Sequence, residues 1–151
     1  AFVPVVCTRS VASRFHRDEA RDSAKASRWR RILQEAAEQA GRGRIPLLHP
    51  ALPFAEAWDR VRGLVLLPWE GEREAGLRGV LTEQLFPGLR GEYPPVSLLV
   101  GPEGGFAPEE VDMARRRGAV PVSLGRRILR AETAGVVAAA AVLYHVGELG
   151  G

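Results

Sequence analysis

The stretch VSLLVGPEGGF, residues 96–106, passes from an apolar run into Gly-Pro-Glu-Gly-Gly. The run reads as a buried strand, and the glycines that follow remove side chains just where the chain must turn. Two explanations are open. Either the backbone adopts a turn that other residues resist, or a ligand comes close to bare main chain.

Downstream, APEEVDMARRRG (107–118) predicts a helix, with Pro108 near its first turn and Glu109 and Glu110 at the positive end of its dipole. AVPVSLG (119–125) predicts a further strand, RRILRAE (126–132) a loop or helix entry, and TAGVVAAAAVLYHVGE (133–148) a closing helix. Upstream, GLVLLPWEGE (63–72) predicts a buried strand ending in Pro68, Trp69 and Glu70. REAGLRGVLTEQLF (73–86) predicts a helix, although Gly76 and Gly79 each weaken it by about 1 kcal/mol relative to alanine. In residues 27–46, Trp29, Ile32, Leu33, Ala36, Ala37 and Ala40 recur at helical spacing, with Ser27 as the expected cap and Gly41 as the stop. Residues 53–63 predict a short amphipathic helix after the extended 47–54, residues 2–8 a short strand, and the polar 10–27 a solvent-exposed loop.

Alternating strands and helices predict the α/β class, with a parallel sheet covered by helices on both faces. Ligands in such sheets bind beyond the carboxyl ends of the strands. Three strand ends carry unusual residues, at 68–70, 101–105 and 125–132, and are expected to converge on one site.

With 151 residues, 46% of them hydrophobic, the chain can fill one ordinary core, so one domain is expected. No apolar stretch approaches the roughly 20 residues of a membrane helix, which predicts no membrane partner. A single cysteine, Cys7, allows no internal disulfide, and His16, His49 and His145 have no ligand spacing. These features predict a reducing cytoplasm and no metal site. The chain does not start with methionine and is expected to be a piece of a longer protein. Residues 1–50 carry ten basic and five acidic side chains, 51–110 five and ten, and 111–151 six and three. Of the basic residues only Lys25 is lysine. Arginine suits a polyanionic partner because its planar fork can bond two phosphate oxygens, while the source genome's composition explains the excess equally well.

The glycine loop does not fit the nucleotide motifs. A phosphate loop needs lysine and a hydroxyl after its last glycine, where Phe106 and Ala107 stand, and a dinucleotide fingerprint needs a different glycine spacing. Glu103 would repel a pyrophosphate. A ligand with positive charge, hydroxyls and an adenine ring suits the loop better, and S-adenosylmethionine has all three.

LLVGPEGGF at 98–106, followed by SLGRRILRAETA at 123–134, closely resembles the two C-terminal motifs of the SPOUT methyltransferases, specifically the RsmE family. TRSV at 8–11 and the arginine-tryptophan helix within RWRRILQEAAEQAGRGRIP at 28–46 resemble that family too, so the similarity spans nearly the whole chain. It implies a SPOUT-type parallel sheet with a C-terminal trefoil knot, a homodimer, and methylation of N3 of a uridine in 16S ribosomal RNA (uridine 1498 of the decoding region), with the assembled small subunit as partner. It implies a cofactor site of three walls. Leu67 and Pro68 form one, Gly101, Pro102, Glu103, Gly104 and Gly105 a second, and Leu124, Gly125, Ile128, Leu129 and Arg130 a third. The family's opening strand and helix and its N-terminal PUA-like RNA-binding domain have no counterpart in these residues.

Uridine N3 must lose a proton before it attacks, so such a site needs a base or a positive charge that stabilises the anion. Arg130 is the candidate for the charge, with a phosphate clamp or a dimer salt bridge as its other readings, and Glu132 would orient it or accept the proton. Arg9, Arg28, Arg42 and Arg44 are candidates for rRNA phosphate contacts or are simply solvated. The small residues of 134–144 allow two helices to approach across a dimer, or pack within one subunit. Ala107 stands where the family often has a capping hydroxyl, a loss of about 1 kcal/mol. An RNA-binding or assembly fragment without catalysis is the main alternative, and a SPOUT enzyme acting on another RNA, such as tRNA, fits the motifs less well.

Overall fold

The computed structural model describes residues 1–10, 19–89 and 91–150, with side chains in the first helix described from residue 24. The described chain divides into two compact units, residues 1–6 with 19–60 and residues 7–10 with 61–150.

In the first unit, β1 (Val5–Val6) pairs in parallel with β2 (Leu52–Pro53). The pairing is extended by a bridge between Phe2 and Leu48, where Phe2 N–H donates to the Leu47 carbonyl at 2.7 Å. The helix α1 (Glu19–Gln39) is longer than its apolar spacing indicates. Residues 19–27 of the expected loop are helical and Ser27 lies within the helix rather than capping it, while residues 11–18 of that loop lie outside the described residues. Ala20, Ala24 and Ala26 are strong helix formers that bear no apolar period, so propensity extends the helix where amphipathicity gives no signal. Gly41 ends it as expected, at φ 63°, with Arg42 N–H returning to the Ala37 carbonyl at 2.9 Å. The helix expected over 53–63 is only a 3-10 turn, Ala57–Arg60. Phe54, Ala57 and Trp58 are buried there, with the two rings edge to face at 6.2 Å, but so short a segment cannot repay helix nucleation.

The second unit is built on a three-stranded parallel sheet in the order β4-β3-β5, from β3 (Leu64–Pro68), β4 (Val96–Leu98) and β5 (Ala119–Val122). The α/β class and the parallel pairing are as the sequence predicts. Val65, Leu66 and Leu67 are all buried, as a central strand covered on both faces requires. Leu66 and Val122 pack with Leu77, Val80, Leu81 and Leu85 of α2 (Leu77–Gln84) and around it, and with Ala138 of α4 (Ala131–His145). The helix α3 (Pro108–Arg116) packs against β5 and buries Val111 and Ala114. α2 begins four residues later than the sequence indicates. Residues 75–77 instead pair with Ser123, just beyond β5, with Ser123 N–H donating to the Ala75 carbonyl at 2.8 Å and Leu77 N–H to the Ser123 carbonyl at 3.0 Å.

Candidate functional site

Because β3, β4 and β5 run in parallel, the loops leaving their carboxyl ends emerge on the same side of the sheet. The chain leaves β4 on one side of β3 and re-enters at β5 on the other, so β3 lies at a crossover where loops diverge and leave a crevice. The three loops enclose a cleft of about 840 Å³, within the range of small-molecule sites. Trp69 N–H donates to the Val122 carbonyl at 3.0 Å, and a parallel bridge joins Gly76 to Ser123, so the loop after β3 is tied to the end of β5.

The wall at 101–105 is shaped by three different demands on glycine. A Cβ at Gly101 would stand 3.1 Å from the ring of Phe106, which is buried. One at Gly104 would stand 3.2 Å from both the Cβ and the carbonyl oxygen of Arg9. Gly105 has φ 69°, and the Glu70 carboxylate occupies the place of its missing Cβ. Gly105 N–H donates to the Pro102 carbonyl at 2.9 Å and closes the turn, while Arg9 Nη1 donates to the Gly104 carbonyl at 3.3 Å.

Behind this wall sits Glu110, the one buried charged side chain among the described residues. Its Oε2 accepts the Ala107 N–H at 2.9 Å, and its Oε1 accepts the N–H and the hydroxyl of Thr8 at 2.8 and 3.2 Å. Ala107 is the N-cap of α3, as the sequence suggests, and it offers no side-chain acceptor. Glu110 also acts on Cys7, whose thiol is pushed up to about 12, chiefly by burial and then by this carboxylate. Such a thiol stays protonated and is no nucleophile at neutral pH.

Glu70, Glu72, Glu74 and Glu103, with Arg73 among them, line the cleft from the loops after β3 and β4, and Arg126, Arg127 and Arg130 line it from the loop after β5. The Glu72 carboxyl lies below its ordinary range, first because the backbone N–H groups of Ala75 and Glu74 donate to it and last because Arg115 is 3.3 Å away. Arg115 also lies over the Trp69 ring, 5.5 Å from its centre, which props the outer edge of the cleft.

Of the residues assigned from sequence to cofactor binding, Pro68, Gly101, Pro102, Glu103, Gly104, Gly105, Leu124, Gly125, Ile128, Leu129 and Arg130 line the cleft, whereas Leu67 is wholly buried in β3 and does not. Arg130 is the N-cap of α4. Glu132 is exposed in the first turn of that helix and is not part of the lining. Arg9 belongs to the second unit, beside Gly104. Arg28 on α1 and Arg42 and Arg44 in the turn after it belong to the first unit, and all three are exposed. Trp69, Glu70, Arg126 and Arg127, which the sequence places in the converging strand ends without assigning them to the cofactor, line the cleft as well. Glu110 and Thr8 gave no such signal, since their contact spans 102 residues.

The family model of the RNA methyltransferase domain matches residues 1–143. The chain belongs to that family. Among relatives of this RNA methyltransferase domain, the ribosomal RNA small subunit methyltransferase E of Mycobacterium bovis is 36% identical over 142 residues, covering 94% of this chain and 52% of the relative. That of Bacillus subtilis is 31% identical over 156 residues, covering 100% of this chain and 58% of the relative. Two solved structures share the fold. A putative methyltransferase from Legionella pneumophila, in complex with the bound cofactor SAM, superposes with a TM-score of 0.78 at 29% identity, over 94% of this chain and 54% of that one. The Neisseria gonorrhoeae ribosomal RNA small subunit methyltransferase E, bound to S-adenosyl methionine, gives 0.73 at 29% identity, over 95% and 54%. The chain spans about half the length of the curated relatives it matches. Among the described residues no helix is long and apolar enough to cross a membrane, and no cluster of side chains could hold a metal ion.

Proposed function

We propose that this RNA methyltransferase domain transfers a methyl group from S-adenosylmethionine to N3 of a uridine in small-subunit ribosomal RNA, as the RsmE resemblance implies. The observation that carries the reading is the meeting of the three strand-end loops around one cleft, bare backbone on one side and guanidinium groups on the other. The cleft fits the cofactor in size and in chemistry. The wall at 101–105 brings backbone to the surface of the cleft, where an adenosine would lie against it, and the carboxylates of Glu70 and Glu103 suit a ligand with sulfonium and ammonium charge. When bound, the cofactor supplies an electrophilic methyl group. The chain's own part is to align the acceptor and to stabilise its charge as the N3 proton leaves to water.

Arg130 takes that electrostatic role, because it lines the cleft and stays charged at any working pH. Glu132, outside the lining, acts from the first turn of α4, where a carboxylate favours the helix dipole and the guanidinium two residues before it. The exposed guanidinium groups of Arg28, Arg42 and Arg44 are assigned to rRNA phosphates. The knotted threading and the homodimer belong to the same reading. The crossover of the chain past β3 is consistent with the first, and the apolar outer face of α4 supports the second.

Isothermal titration of S-adenosylmethionine into the purified chain, together with transfer of labelled methyl to undermethylated small subunits, tests the assignment. For Arg130→Ala, turnover is expected to fall about 10²- to 10³-fold, the usual loss for one donor to a developing anion, with cofactor affinity within a few-fold of wild type. Turnover that persists in that variant, cofactor affinity intact, removes Arg130 from catalysis. Ribosomal RNA binding that ignores the cofactor would make the protein a binding module instead.

A further inference from the structure

We infer that Arg9 is a positioning residue of the glycine wall, not a contact to nucleic acid; the inference rests on the cleft being the cofactor site. The peptide unit between Gly104 and Gly105 is flanked on both sides by the residue type most free to rotate. It is held at both ends. Its N–H donates to the Pro102 carbonyl at 2.9 Å, and its carbonyl accepts from Arg9 Nη1 at 3.3 Å. Because a trans peptide is planar, with N–H and C=O pointing in opposite directions, these two bonds together select one orientation of the plane. The absence of a side chain at Gly104 lets the two segments come this close, since a Cβ there would stand 3.2 Å from the Cβ and from the carbonyl oxygen of Arg9.

Arg9 can act in this way because its own segment is anchored. Ser10 N–H donates to the Cys7 carbonyl and Cys7 N–H to Ser10 Oγ, both at 3.0 Å, which closes a turn around Thr8 and Arg9. Thr8 is bound through its N–H and hydroxyl to Glu110, the carboxylate that also holds the Ala107 N–H. One buried group thus ties the base of the glycine loop to the turn that presents Arg9. A wall fixed before the ligand arrives spares the cost of ordering it on binding.

The test uses Arg9→Ala and Arg9→Lys in the purified chain, with S-adenosylmethionine affinity measured without RNA and 16S ribosomal RNA binding measured against salt. Arg9→Ala is expected to weaken cofactor affinity about three- to tenfold, the range for losing one hydrogen bond, with the melting temperature unchanged. Arg9→Lys recovers part of the loss, because an ammonium can still reach one carbonyl. The slope of RNA affinity against salt stays that of wild type. Wild-type cofactor binding that Arg9→Ala leaves untouched overturns this inference alone, and a salt slope reduced by about 1 would then make Arg9 a phosphate contact. A wild-type chain that takes up no S-adenosylmethionine overturns the cofactor site and this inference together.

Discussion

Gly105 shows how much of the site depends on single backbone positions. Its φ of 69° lies in the left-handed region, which costs a residue with a Cβ about 1–2 kcal/mol, and the Glu70 carboxylate occupies the place of that Cβ. The two demands differ in kind. A carboxylate at the end of a flexible side chain can rotate away, whereas the dihedral cannot be relieved without remaking the turn. Gly105→Ala is therefore expected to reduce S-adenosylmethionine affinity roughly tenfold by titration calorimetry, a conversion of that strain at 1.4 kcal/mol per decade, and Glu70→Ala added to it restores little. Full recovery in the double variant would mean that crowding, not the dihedral, sets the demand. The sequence announces a cluster of glycines but not this division of labour among them. Gly101 makes room for the Phe106 ring, Gly104 for Arg9, and only Gly105 of the three needs a positive φ.

The elements behaved according to how their signals arise. The strands and α3 were legible, since apolar runs and a proline-plus-acid first turn are local patterns, but β4, expected to be buried, is an edge strand whose three residues are only half-buried. The start of α1 was not legible, because alanines among charges carry propensity without a period, and the start of α2 was not, because Ala75 is drawn into backbone pairing with Ser123, just past β5. The N-terminus of α3 is the element most open to improvement. Ala107 leaves the cap without a side-chain acceptor, and Glu110 supplies half of a capping box by accepting the Ala107 N–H. Ala107→Ser provides the other half, placing a hydroxyl within reach of the Glu110 N–H, whose present partner is the Ala107 carbonyl at 3.0 Å. Urea and thermal unfolding should show a gain of about 0.5–1 kcal/mol, or roughly 1–4 °C. An unchanged or lower midpoint would show that the site, only 5% exposed, has no room for the hydroxyl or that Glu110 already caps the helix fully.

At the scale of the whole molecule the unresolved demand is α4. Its inner side packs Ala138, Ala141, Val142 and Val146 into the core, yet its outer side is also apolar. Val136, Leu143 and Tyr144, at the spacing of one helical face, are 69%, 45% and 70% exposed. A helix apolar on all sides is normally buried on all sides, and a contiguous exposed stripe marks an interface. A second copy of the chain is the simplest cover, because a two-fold axis lets the same stripe meet itself. The stripe continues the helix whose N-cap is Arg130 and whose Ala131 and Ala134 line the cleft, so the proposed dimer and the proposed site would share one element. Sedimentation of the wild-type chain should then give twice the 16.4 kDa of one copy. Val136→Glu and Tyr144→Glu, which place like charges opposite one another across the axis, should each shift it to a monomer with little change in melting temperature. Methyl transfer should fall in proportion to the dimer lost. A wild-type monomer at tens of micromolar, or monomeric variants with full turnover, would leave the outer face of α4 to some other cover and the cleft complete within one chain.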